Sequence, residues 1–154
     1  MVVDDLRSDD LGLLGWSGSP THVRHVAEAL RRVEAGEVEH LVVRAPTGEP
    51  IAKGGIDYMR HAGAGTLWQL AVHPELRGCG IGTWLIAAAE VRVRRRVRSW
   101  MVLGVEDDNP RARVLYERLG YERFGQEADS WEQEADDGSI VVYETIVGLL
   151  RKQL

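Results

Sequence analysis

A mixed α/β domain is the fold class this sequence predicts, and three observations predict it. Three apolar segments separated by Gly/Pro turns come first, at Leu41-Val42-Val43, Ile51 to Tyr58 and Leu67 to Val72. A glycine-rich turn, an apolar helix, a second apolar strand at Ser99 to Val105 and a second capped helix then follow in that order, which is the signature of a right-handed βαβ unit. A long closing strand, Ser139 to Val147, completes the series. There is no internal repeat, linker or low-complexity tract, so residues 1–154 read as one domain.

Composition narrows the function classes. The chain has 154 residues, 44% hydrophobic and 28% charged, enough to bury a core without disulfides or metal. A net charge of −5 gives no electrostatic footprint for nucleic acid. No apolar run approaches a membrane span, and the acidic start Met1-Val2-Val3-Asp4-Asp5 is unlike a signal peptide, so a cytoplasmic location is expected, with no membrane partner. The one cysteine, Cys79, excludes an internal disulfide and a Cys-based zinc site.

Along the chain, residues 1–15 suggest a first strand and a brief helical turn carrying Leu11, Leu13 and Leu14. Ser19-Pro20 is a helix start, with a hydroxyl N-cap and proline at the first helical position. Val23, Val26, Leu30 and Val33 then make one apolar stripe, and Gly36 is the stop, giving a helix of about four turns. His22 and His25 flank it with no third metal ligand in view, so no metal site is expected. Pro46-Thr47-Gly48-Glu49-Pro50 joins two strands as an antiparallel hairpin. A second turn, His61 to Gly65, leads into the central strand at Thr66.

The stretch after that strand carries the chemistry. Arg77-Gly78-Cys79-Gly80-Ile81-Gly82 opens a helix whose core face is expected to be Ile81, Trp84, Leu85, Ala88, Ala89 and Val91. Glycines there let backbone N–H groups approach phosphate oxygens at the positive end of a helix dipole. A Walker A loop is excluded, because Gly82 is followed by Thr83 and the turn has no lysine. A dinucleotide fingerprint fits Gly78 and Gly80 but finds Thr83 at its sixth place, and Glu106 would have to serve as its ribose-binding acid. Three strands before the turn also argue against that fold.

Arg77-x-x-Gly80-x-Gly82 after Val72-His73-Pro74 resembles the acyl-CoA signature of the GNAT acetyltransferase superfamily. Asn109-Pro110-Arg111-Ala112-Arg113-Val114-Leu115-Tyr116, in a helix ended by Gly120, resembles that family's other cofactor-side helix. The resemblance covers roughly residues 37–125. It implies a mixed, mostly antiparallel sheet with a central splayed parallel strand pair, flanked by about four helices. It also implies acetyl-CoA as co-substrate, its pantetheine arm pairing with Leu70, Ala71 and Val72 and its pyrophosphate on the amides of Arg77, Gly78, Cys79, Gly80, Ile81 and Gly82. Asn109 and Ala112 would lie beside the arm. Arg77, Arg111 or Arg113 would neutralise a phosphate.

Amine acetylation needs a neutral amine, a stabilised carbonyl oxygen and a protonated leaving thiolate. By the resemblance, the N–H of Leu70 or Val72 polarises the carbonyl and Tyr116 is the acid. Many relatives carry a glutamate where Thr66 stands, so the base is left among Glu106, the nearest carboxylate, Asp57, His73 and water. A non-catalytic acyl-CoA-binding module is the alternative that this missing glutamate keeps open. The acceptor is expected to be an amine of a small molecule or peptide. Trp16, Tyr58, Trp68 and Trp131 are candidates for an aromatic wall, and an acidic loop, Gln126 to Gly138, offers Asp129, Glu132 and Glu134. A homodimer is among the assemblies this reading admits. Arg92, Arg94, Arg95, Arg96 and Arg98 read as a solvated helix end, and Arg96 stands where relatives place a helix-ending glycine.

Overall fold

The computed structural model describes all residues, Met1–Leu154. Seven strands form one sheet: β1 (Val2–Asp5), β2 (Val38–Arg44), β3 (Pro50–Asp57), β4 (Ala64–Val72), β5 (Trp100–Glu106), β6 (Glu122–Glu134) and β7 (Ile140–Gln153). Their order is β1-β2-β3-β4-β5-β7-β6, with every pairing antiparallel except β4 with β5. Three α-helices, α1 (Pro20–Glu34), α2 (Ile81–Arg95) and α3 (Pro110–Arg118), and three short 3-10 turns flank the sheet. This is the mixed, mostly antiparallel sheet with a central parallel pair that the resemblance implies.

The helices begin where local chemistry starts them. Ser19 accepts the His22 N–H ahead of Pro20, and Asn109 accepts the Ala112 N–H ahead of Pro110. α2 instead starts on Gly80 at φ 82°, a left-handed conformation that a side chain would strain. On one sheet face α2 packs Ile81, Leu85, Ile86, Ala89 and Val93 against Leu41, Val43, Ile56 and Leu103. Trp84 and Val91 are exposed, and Ile86 and Val93 take the core places expected for them. Both pairs fit a helical period, and the winning one is set by the rotation of α2 on the sheet. On the opposite face α1 packs Val26 against Leu6, Leu14 and Val42. Val33, the last member of its expected stripe, is exposed.

Two other expectations are corrected. The acidic segment Gln126 to Gly138 is not a loop: residues to Glu134 belong to β6, paired with β7 along its length, and only the turn beyond is irregular. The arginine cluster at the C-terminal end of α2 is only partly solvated. Arg92 pairs with Asp5 at 2.9 Å, and Arg96 donates to the Gly36 carbonyl and lies over the Tyr58 ring, 4.3 Å from its centroid. With no glycine available, Val97 takes the left-handed conformation at φ 56° after the helix end.

Two irregularities in β4 shape the centre of the sheet. Its register with β3 advances three residues, Trp68 to Ala71, while β3 advances two, Gly55 to Lys53, so β4 carries a bulge. Gln69 within it has φ 55°. Parallel pairing with β5 ends at Leu67↔Leu103, although β4 runs on to Val72 and β5 to Glu106. The two strands therefore part at their C-terminal ends.

Candidate active site

The gap between β4 and β5 opens into a cavity of about 920 Å³. Leu67, Trp68 and Gln69 line it from β4, Gly104, Val105 and Glu106 from β5, and Asn109, Ala112 and Tyr116 from α3. The cavity continues between the N-terminus of α1, at Ser19, His22 and His25, and β6, at Glu127, Asp129, Trp131 and Glu132.

Beyond Leu67, the β5-facing edge of β4 has no strand partner, which leaves backbone groups of Leu70, Ala71 and Val72 free on that side. The glycine turn follows at once. Gly78 and Gly80 both have positive φ, and no backbone carbonyl accepts the amide hydrogens of Gly78, Cys79, Gly80, Ile81, Gly82 or Thr83. A Cβ built at Gly78 or Gly80 would meet nothing within 4 Å, so the turn is open above those amides. A free strand edge, an open amide-lined turn and α3 beyond the gap fit an extended arm ending in a diphosphate. Of the candidate arginines, Arg113 is paired with Glu117 at 2.9 Å.

Tyr116 is half-buried, edge-on to Tyr121 at 6.3 Å, and burial raises the pKa of its hydroxyl. It therefore stays protonated at neutral pH. Glu106 also lines the cavity, with one oxygen accepting from the Tyr143 hydroxyl at 2.9 Å. Two other candidate bases are elsewhere. Asp57 is held by Arg32 at 3.0 Å, and His73 caps its own turn at Glu75 and lies against Trp16.

Of the expected aromatic wall, Trp68 and Trp131 line the cavity. Trp16 is packed with the α1 core, and Tyr58 is bonded to Glu39 beneath Arg96. The Trp68 indole spreads over Gly55, where an added Cβ would come within 2.4 Å of the ring, so that glycine is required by close approach. Glu134 is drawn off to Thr21 at 2.9 Å, whereas Asp129 and Glu132 stay at the cavity wall, paired there with Arg60 at 3.5 Å and Arg24 at 2.7 Å.

The structure also brings together groups that sequence reasoning missed. Lys53 is fully buried beneath the bulge, and its ammonium donates to the Gln69 carbonyl at 2.7 Å. Burial lowers its pKa to about 8. Close by, His40 is buried with both ring nitrogens unpartnered, and burial lowers its pKa to about 3, so it is neutral. Read as apolar runs between turns, β2 and β3 gave no signal for these polar residues. Thr66 makes a further polar contact, with the His61 ring at 2.9 Å.

Fold and cavity define a class: acyltransferases built on a mixed sheet that opens between two parallel strands. The chain belongs to the Acetyltransferase (GNAT) family, whose sequence pattern matches residues 5–121. Among solved structures it resembles a ribosomal-protein-alanine N-acetyltransferase from Brucella melitensis at 18% identity and TM-score 0.76, covering 100% of both chains. It also resembles a spermidine N-acetyltransferase chimera from Vibrio cholerae and hSSAT at 17% identity and TM-score 0.76, covering 99% of this chain and 96% of that one. A third is a phosphinothricin acetyltransferase from Sinorhizobium meliloti in complex with AcCoA, at 16% identity and TM-score 0.72, covering 99% and 88%. At these identities the likeness is one of fold. No helix is long and apolar enough to cross a membrane.

Proposed function

We propose that this protein is an N-acetyltransferase that moves an acetyl group from acetyl-CoA to a primary amine, of a small molecule or of a peptide, by direct transfer. The observation that carries the reading is the end of the β4–β5 ladder at Leu67↔Leu103, with both strands continuing unpaired beside an open, amide-rich turn. Membership of the family and the half-buried, protonated Tyr116 on the far wall of the gap support it.

Acetyl-CoA supplies the acyl group already activated as a thioester. Leu70, Ala71 and Val72 bind the arm through backbone groups, in the manner of an added strand. The amides from Arg77 to Gly82 take the diphosphate, with Asn109 and Ala112 beside the arm. A backbone N–H of Leu70 or Val72 stabilises charge on the acyl oxygen, and the Tyr116 hydroxyl holds the proton that the leaving sulfur requires. Glu106, with one oxygen fixed by Tyr143, receives the incoming amine as its ammonium. Asp129 and Glu132, oriented by Arg60 and Arg24, place further acceptor oxygens along the same wall, which suits a cationic acceptor.

Calorimetry with acetyl-CoA, CoA and NAD, paired with thiol release on an amine panel, tests this. Binding of acetyl-CoA and CoA is expected, with Gly80→Asp weakening both by placing a side chain and a negative charge at the turn. Tyr116→Phe should keep that binding and lower kcat by roughly 10²-fold or more. NAD binding without CoA binding, or full turnover by Tyr116→Phe, would contradict the assignment.

A further inference from the structure

An ammonium held by Glu106 is harder to deprotonate, because an opposite charge favours the charged form. Attack therefore needs a second group to take the proton, and the cavity wall offers one. Thr66 is 4% exposed, lines the cavity and sits one residue before the point where β4 and β5 part. Its Oγ1 lies 2.9 Å from Nδ1 of His61, in the turn that leads into β4. Nε2 of the same ring faces Oε2 of Glu127 on β6 at 3.5 Å. Arg60 fixes that carboxylate at 2.9 Å and also reaches Asp129 at 3.5 Å.

The order of these groups sets the direction of proton flow. An ionised carboxylate only accepts, so the hydrogen of neutral His61 belongs on Nε2, toward Glu127. Nδ1 then carries a lone pair, and the Thr66 hydroxyl donates to it. The oxygen lone pairs of Thr66 are left for a donor in the cavity.

We propose that Thr66, His61 and Glu127 form a proton relay that deprotonates the acceptor amine; this rests on the acetyl-transfer reading above. One N–H proton of the ammonium passes to Thr66 Oγ1, directly or through one cavity water. The hydroxyl proton of Thr66 passes to His61 Nδ1. The result is a neutral amine, a regenerated hydroxyl and an imidazolium facing Glu127. Half-exposed His61 then returns the proton to solvent. Thr66 is the catalytic member, and His61 and Glu127 act through it.

The test has two arms. In the first, ¹⁵N NMR of the full chain reads the tautomer of His61, identified by its loss in His61→Ala; this needs no acceptor. The Nε2–H form is expected, with its Nδ1 resonance moving in Thr66→Val, and an Nδ1–H tautomer would overturn the relay. In the second, wild type, His61→Ala, Thr66→Val and Thr66→Ser are compared with spermidine and an alanine-initiated hexapeptide as acceptor probes.

His61→Ala and Thr66→Val should lose roughly 10²-fold in kcat near pH 7 with acetyl-CoA affinity intact, and regain rate as rising pH deprotonates the amine in solution. Thr66→Ser should stay within a few-fold of wild type, and Glu106→Gln should raise KM for the amine instead. A His61→Ala variant with wild-type kcat and pH profile, binding acetyl-CoA normally, would sink the relay alone. Failure of wild type to bind acetyl-CoA would sink the transfer reading beneath it.

Discussion

The two wings of the sheet hold together by different means. In the wing of β2 and β3, every residue from Pro50 to Ile56 is buried, and Leu41, Val42 and Val43 are fully enclosed between α1 and α2. In the wing of β6 and β7, no residue of β6 is buried, and β7 is buried only at Val147 to Leu150, where it passes beside β5. The first wing rests on apolar burial. The second rests on its backbone ladder and on ion pairs such as Arg24–Glu132 and Arg60–Glu127. The lesson is a division of labour: the enclosed wing carries the stability, and the exposed one supplies the β6 wall of the cavity, where side chains can change at small cost to the fold.

The largest expected effect tests the enclosed wing. Leu41→Ala should destabilise the protein by about 2–5 kcal/mol, whereas Val142→Ala, 65% exposed on the other wing, should stay within about 0.5. Denaturant midpoints measure both, and equal losses would erase the contrast.

A second effect comes from the one charge buried in the stable wing. Lys53 has a folded pKa of about 8 against an ordinary 10.5, so the folded state holds its proton less tightly than the unfolded chain does. Wild-type stability should therefore rise, relative to Lys53→Met, as pH climbs from 8 to 10.5, by roughly 3 kcal/mol at about 1.4 kcal/mol per unit. Below pH 8 the two should run in parallel. Chemical denaturation across that window checks the sign. Turnover of Lys53→Met should fall as well, because the bulge at Gln69 loses the donor that holds its carbonyl.

The smallest effect belongs to the exposed wing. Glu132→Gln removes a 2.7 Å pair between side chains that are 44% and 54% exposed, and should cost no more than about 1 kcal/mol. Its mark should appear in KM for a cationic amine. A large loss of stability with unchanged KM would reverse the roles of the two wings.

Legibility in the sequence follows the same division. The enclosed strands announce themselves as apolar runs between turns, and Asn109-Pro110 and Ser19-Pro20 start helices by chemistry local enough to read directly. The glycine turn is equally plain, since positive φ at Gly78 and Gly80 leaves few other residues admissible. β6 was hidden because both its faces are largely wet, so Glu127, Asp129 and Glu132 look like a solvated loop until β7 pairs with them. Lys53 and His40 were hidden for the opposite reason, being polar residues in strands that burial alone defines. The His61–Thr66 contact depends on how one turn folds back on the strand it enters. Trp84 and Val93 exchange their expected environments through helix rotation, which periodicity leaves free.

Strand β6 ends the sheet, and its thirteen residues carry five carboxylates, Glu122, Glu127, Asp129, Glu132 and Glu134, against the single base Arg123. Arg60 and Arg24, from outside the strand, pair with Glu127, Asp129 and Glu132, so the longest open hydrogen-bonding margin of the protein is lined with charges of both signs that a second strand would have to desolvate. The charges proposed to draw a cationic amine inward thus also guard this margin against fibrous stacking, and high salt would weaken both actions together.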